Sequence, residues 1–360
     1  MKRLNPSFTL AVAALLLFGG TSAQADDVTF KGKTVTVLVG SGTGGSTDLS
    51  ARLVAPFFTK YLPGNPNSII QNMPGAHNMT AMNFFTQKSK PDGLTVIIGS
   101  GSEADPINYR VPQSRYNPAD FEMVGGVNLG GTGMVIRNDA IARLTQKGAN
   151  PVVLGSIAGY PHIGTQMAAW GIKYLGWNAR WVTGYGNDAD LALALERGEI
   201  EVTTFADASI GQMPALLDKT KFTFPYQTGI DAGQMSSSQP VMAGVPLFDT
   251  LMAGKLTDPL AIEAYEYWRD LSYVFKWFAL PPVTPKPIVD AYRAAFEKIV
   301  ADPDFIAQSQ NISPGVSSLP VEDLIKNVRE VASVRPEALG FMTQMLREQG
   351  LKVEEAKERE

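Results

Sequence analysis

The sequence predicts an α/β protein of two domains with a ligand held between them, and three observations predict it. Strand-like and helix-like stretches alternate as β-α-β-α-β from residue 34 to residue 98, and the same grammar returns between residues 152 and 205. The strand-like runs are continuous and β-branched, as parallel strands covered on both faces tend to be. Glycine-rich loops follow strands in each half, at the ends where open α/β sheets bind ligands. At 360 residues and 44% hydrophobic composition, the chain can bury a large core in two domains or one discontinuous pair.

The elements follow in chain order. Lys2 and Arg3, the apolar run 10–18 and the small residues of Ala23-Gln24-Ala25 have the pattern of a secretory leader. Cleavage is expected after Ala25, with the mature protein in the periplasm. The apolar run is too short to span a bilayer. Residues 34–39 form the first strand, and 49–61 a helix with Leu49, Leu53, Phe57 and Tyr61 on one stripe and Pro56 inside. Residues 68–72 are a strand, 79–88 a helix, and Pro91-Asp92-Gly93 a turn before the strand 94–98. In the middle, 152–155, 180–182 and 200–205 read as strands. The helix 165–175 ends at Gly176, and 189–197 starts after the capping pair Asn187-Asp188 and ends at Gly198. The last third reads as helices over 287–300, 304–310, 321–331 and 336–349, with a frayed charged tail. Domain 1 is expected over 26–132, domain 2 over 133–222, and a return to domain 1 over 223–360.

Several function classes are disfavoured. The net charge of −4, without a basic block, argues against nucleic acid. With no cysteine there is no disulfide and no thiolate metal site. His77 and His162 both fall in loops and lack a partner at metal-ligand spacing, so a solvated or structural histidine is the preferred reading for each. No Gly-x-Ser-x-Gly nucleophile motif occurs. No catalytic residue, cofactor or metal is therefore assigned, and the chain is not read as an enzyme.

The loop 40–48, Gly-Ser-Gly-Thr-Gly-Gly-Ser-Thr-Asp, is the most informative stretch. Glycines let a ligand approach the backbone, and the following helix start offers free N–H groups and a positive dipole end. Gly40, Gly42 and Gly45 match the dinucleotide fingerprint in form, but the second strand ends in neutral Gln71-Asn72 where a ribose-binding acid would be needed. A smaller anion is the better fit. Comparable loops lie at 74–78, 155–165 and 184–188, two loops from each half of the chain. Asp48 is read as a first-turn helix acid, since its charge would repel an anion. Tyr185 points into the cleft or packs on its loop, and Gly45 and Gly75 matter for lacking a side chain.

These residues carry a resemblance to the substrate-binding receptors of tripartite tricarboxylate transporters, the Bug family. It rests on Gly44-Gly45-Ser46-Thr47-Asp48 with Ala51-Arg52, on Asn72-Met73-Pro74-Gly75-Ala76, and on Pro91-Asp92-Gly93. Tyr185-Gly186-Asn187 with Gly198-Glu199-Ile200 follows, then Pro282-Val283-Thr284-Pro285-Lys286-Pro287 and Ala301-Asp302-Pro303. The matches keep their order from about residue 30 to 310. His77 stands where the family has glycine, and 156–161 and 231–267 depart from its pattern, touching both sides of the expected cleft. The resemblance implies a two-domain periplasmic-binding-protein fold with a hinge and an inter-domain cleft. It also implies a small carboxylate as ligand, membrane transporter subunits as partners, and a monomer. The candidate ligand contacts are Gly44, Gly45, Ser46, Thr47, Asp48, Gly75, Ala76, His77, Asn78, Ser156, Gly159, Thr165, Tyr185 and Asp207. An exported enzyme on the same fold, or an accessory receptor of a sensor system, is the alternative.

The energetics suffice. A carboxylate accepting about four charge-assisted bonds gains about 1.5–3 kcal/mol from each. Two helix N-termini add up to about 2 kcal/mol apiece. Ordering and lost rigid-body freedom subtract several kcal/mol, and micromolar affinity needs about 8. On this reading the site needs no buried arginine and no metal.

Overall fold

The computed structural model describes residues 28–128, 130–157, 163–229, 239–272, 274, 276–313 and 317–354. The expected leader, Gly159 and His162 lie outside the described residues. The first lobe opens with β1 (Thr34–Val39), α1 (Ser46–Tyr61), β2 (Asn67–Asn72), α2 (Met79–Lys88) and β3 (Thr95–Gly99). Helix α1 starts one turn before the expected residue 49, because the Leu49 N–H already bonds to the Gly45 carbonyl at 2.9 Å. Short helices α3 (Gly101–Ala104) and α4 (Pro106–Tyr109) lead to β4 (Glu122–Asn128).

The second lobe holds β5 (Thr132–Arg137), α5 (Ile141–Thr145), β6 (Val152–Ile157), α6 (Ile163–Leu175), β7 (Ala179–Tyr185) and α7 (Asp188–Arg197). It continues with β8 (Val202–Ala206), α8 (Asp207–Gly211), β9 (Phe222–Thr223) and α9 (Phe248–Met252). The chain then returns through α10 (Pro259–Leu271), β10 (Lys276–Leu280), α11 (Lys286–Val300), α12 (Pro303–Gln310), β11 (Ser317–Leu319), α13 (Val321–Ala332) and α14 (Pro336–Glu348).

Two sheets result. The first has the order β11-β4-β10-β3-β1-β2, with β1 parallel to β2 and β3, and β10 antiparallel to β3 and β4. The second has the order β7-β6-β8-β5-β9, with β6 parallel to β7 and β8, and β5 antiparallel to β8 and β9. Alternation along β1 divides the first core. Val35, Val37 and Val39 face α1 and α11, where Phe58, Tyr292 and Phe296 pack, and Leu38 faces α2 on the other side. Gly99 in β3 has a steric reason to be glycine: an added Cβ would lie 2.1 Å from the Trp277 ring of β10.

Two sequence expectations change. The last third is not helical throughout, since β10 and β11 complete the first sheet. The second lobe also keeps the chain beyond residue 222. Thr223 pairs with Ile136 in β5, Gln227 bridges Gly133 and Leu247, and Met242 packs in the second lobe's outer core. The lobes meet behind the sheets. Helix α6 buries Trp170 against Tyr265 and Trp268 of α10 and Phe341 of α14, with the Trp170 and Tyr265 rings 5.1 Å apart edge to face. Such pairs contribute about 0.5–1.5 kcal/mol beyond their buried area.

Candidate ligand-binding cleft

The carboxyl ends of the parallel strands in both sheets open on one cavity of about 470 Å³. That volume lies in the range of small-molecule sites. Four helices of eight residues or more begin at its wall: α1 and α2 from the first lobe, α6 and α7 from the second. Their first N–H groups have no partners within the helix, and their dipoles put positive potential into the cavity.

The first loop is held by Asp48. Its carboxylate is fully buried and accepts from the Gly44 N–H at 2.9 Å, Arg52 Nε at 2.8 Å and Asn72 Nδ2 at 2.8 Å. Burial by itself raises its pKa, but the bonds from Arg52, Gly44 and Asn72 outweigh it and hold the carboxyl below the ordinary range. Asp48 thus closes the loop from behind and turns its charge away from the cavity. Ser46 and Thr47 of α1 line the cavity together with Gly45. Gly45 adopts ordinary extended angles, φ −74 and ψ 162, and an added Cβ would meet nothing nearer than 3.6 Å. Its backbone therefore does not require glycine.

The second loop does. Gly75 has φ +139, and a Cβ there would lie 2.7 Å from Thr80 Oγ1. After it, Ala76, His77 and Asn78 all take left-handed angles, φ 46, 55 and 66. Such residues cost about 1–3 kcal/mol each and concentrate at ligand clamps. Asn78, which precedes α2, donates through its amide to Glu103, and its Cα–Cβ unit fills the space above Gly40, where a Cβ would come within 2.6 Å. The two loops are thereby locked side by side. Glu103 is in turn held by Ser100, whose N–H and hydroxyl both donate to Oε2 at 2.6 Å.

From the second lobe come Thr165, whose Oγ1 lies 2.8 Å from Thr204 Oγ1, and Tyr185, which lines the cavity. The cavity thus collects Gly45, Ser46, Thr47, Gly75, Ala76, His77, Asn78, Thr165 and Tyr185 of the candidate contacts. Gly44, Asp48, Ser156 and Asp207 stand behind its wall. Ser156 is buried within β6 and donates to the Ile157 carbonyl. Asp207 is buried where the lobes cross and accepts from Ser313 Oγ of the first lobe at 2.5 Å.

Two charged groups were not anticipated. Lys276, first residue of β10, lines the cavity floor and donates to Thr47 Oγ1 at 2.8 Å. Burial lowers its pKa, and attraction to Glu103 and Asp188 opposes the fall. Asp188, first residue of α7, lines the opposite wall; burial raises its pKa, against the Ser209 hydroxyl, Lys276 and the Ser46 N–H, each of which favours the charged form. Its carboxylate accepts from Ser209 Oγ, and it shares the cavity wall with Ser46 and Lys276 of the first lobe. The sequence marked Asp188 only as a helix start. Lys276 carried no local signal, because its strand was not foreseen.

No protein-family model matches the chain. Among solved structures it is similar to the periplasmic binding protein BugD, with a TM-score of 0.64, 19% identity, and coverage of 89% of this chain and 98% of that one. MatC from Rhodopseudomonas palustris, solved with bound malate, aligns with a TM-score of 0.61 and 20% identity over 87% of this chain and 98% of that one. These likenesses establish the two-domain periplasmic-binding-protein fold. A UPF0065 protein of Bordetella pertussis is 31% identical over 260 residues, 67% of this chain and 77% of that protein. At that identity and coverage the chain belongs to the UPF0065 family.

Proposed function

We propose that this protein captures a small carboxylate between its lobes and delivers it to a membrane transporter of the tripartite tricarboxylate class. The observation that carries the proposal is the convergence of four helix N-termini and the Lys276 ammonium on one cavity. Fixed dipoles and one cation in a half-enclosed space favour an anion the size of a carboxylate. The malate in the structurally similar MatC supports that choice of anion. The act is binding: Ser46, Thr47 and the left-handed turn 76–78 supply donors, and no step of bond making is assigned. Export to the periplasm after cleavage behind Ala25 is part of the proposal, as is domain 2 as the lobe that swings over the ligand.

A thermal-unfolding panel tests this. Ligand that binds only the folded state raises apparent stability by RT ln(1 + [L]/Kd), about 2.7 kcal/mol at one hundred times Kd. At least one small mono- or dicarboxylate should raise Tm by several degrees, and NAD and nucleotides should leave it unchanged. Stabilisation by a dinucleotide and by no carboxylate would overturn the proposal.

A further inference from the structure

The cleft carries a resident carboxylate where an anion's own seat is expected. Asp188, at the start of α7, lines the cavity together with Ser46, the first residue of α1, whose N–H favours the charged form of its carboxylate. Ser209 Oγ donates to its Oδ2. Lys276 stands beside the same helix start through Thr47, and its charge is attracted to both Asp188 and Glu103. Both side chains are partly open to the cavity. Glu103 is already engaged by Ser100 and Asn78, and Asp48 turns towards Arg52, so Asp188 is the carboxylate left facing the ligand.

A ligand carboxylate seated at Ser46 would lie beside the Asp188 carboxylate. Like charges so placed repel, and the single Lys276 offsets only one of them. The conflict is relieved when the ligand also brings a donor for Asp188 to accept. We propose that Lys276 and Asp188 are specificity-determining residues. Lys276 takes the ligand carboxylate, and Asp188 takes an ammonium or hydroxyl on the neighbouring carbon. The cleft then selects α-amino or α-hydroxy carboxylates over plain acids of the same skeleton. This rests on the carboxylate-binding reading above.

Calorimetry on matched series tests it, with succinate, malate and aspartate as one set and propionate, lactate and alanine as the other. In the wild-type protein the donor-bearing acids should bind about tenfold or more tighter than the plain acid, the scale of one hydrogen bond to a charged group. Asp188→Ala should shrink that gap to below about threefold, partly by tightening the plain acid. Should Asp188→Ala not unfold cooperatively, Asp188→Asn is read instead on aspartate against succinate, where the lost charge alone should close most of the gap. Lys276→Gln should weaken every binding acid together and leave the gap in place. An unchanged gap in the Asp188 variants, or plain acids binding tighter to the wild type, overturns the proposal. If no acid of either series binds a cooperatively folded protein, the carboxylate reading itself fails and takes this inference with it.

Discussion

The two glycines at the front of the cleft do different jobs. Gly75 combines φ +139 with a Cβ position only 2.7 Å from Thr80 Oγ1, whereas Gly45 has a conformation open to any residue. Gly75→Ala should therefore cost about 1–3 kcal/mol of stability, the scale of a strained backbone residue. Gly45→Ala should change it by no more than about 0.5 kcal/mol. Denaturant unfolding of the two variants measures both, and equal losses would contradict the assignment. From sequence the two glycines looked alike, since backbone angles depend on what each loop packs against. Asp48 was legible as a first-turn acid. Asp188 was legible only as a helix start, because the residues that share its cavity wall, Ser46, Thr47 and Lys276, lie far from it in the chain and in the other lobe.

At the scale of elements, the parallel strands were the easiest to read. β1, α1, β2, α2 and β3 lie within a few residues of their sequence positions, because each strand is a β-branched run and each helix has a one-sided apolar stripe. β10 was missed for a physical reason. Lys-Trp-Phe-Ala-Leu is a short, fully apolar run after a lysine, which periodicity cannot separate from a buried helix turn, and its partners β3 and β4 are remote in sequence. The cation of the cleft was lost with that strand. The joint between α1 and α12 offers a pH test. Asp302 caps α12 by accepting the Asp304 N–H at 2.8 Å, and Lys60 Nζ and Tyr61 Oη of α1 donate to it at 2.6 and 2.8 Å. The Lys60 ammonium, with Tyr61 and the Asp304 N–H, outweighs the opposing effect of burial and lowers the carboxyl to about 2. The unfolded carboxyl titrates near about 4, so the stabilisation is complete above that pH and fades as pH falls through about 2. Asp302→Asn should lower Tm at pH 7, with the difference from wild type shrinking below pH 4. A difference constant from pH 7 to pH 2 would show that the charge contributes nothing.

For the whole molecule, the shared core behind the cleft constrains how the lobes move. Trp170 of α6 is sealed among rings of α10 and α14, and Gln349 links Trp181 Nε1 at 3.1 Å to the Ala169 carbonyl at 2.9 Å. The lobes are thus joined behind the cleft by an aromatic contact, and at the front Asp188 of the second lobe lines the cavity with Ser46, Thr47 and Lys276 of the first. The two-lobed plan was visible in the repeated strand–loop–helix grammar. The crossing point back to the first lobe was not, because the stretch after β9 stays with the second sheet only through scattered bonds of Tyr226, Gln227 and Thr228 to β5, which no local pattern marks. The claim that unites these scales is that an anion binds between the lobes at the helix starts. A crystal structure with the tightest-binding carboxylate of the panel tests it most directly. A carboxylate group is expected within hydrogen-bond distance of the Ser46 or Thr47 N–H and near Lys276 Nζ, covered from the other side by α7. A ligand seated outside the cleft, or inside it with its carboxylate turned away from α1 and Lys276, would contradict the account.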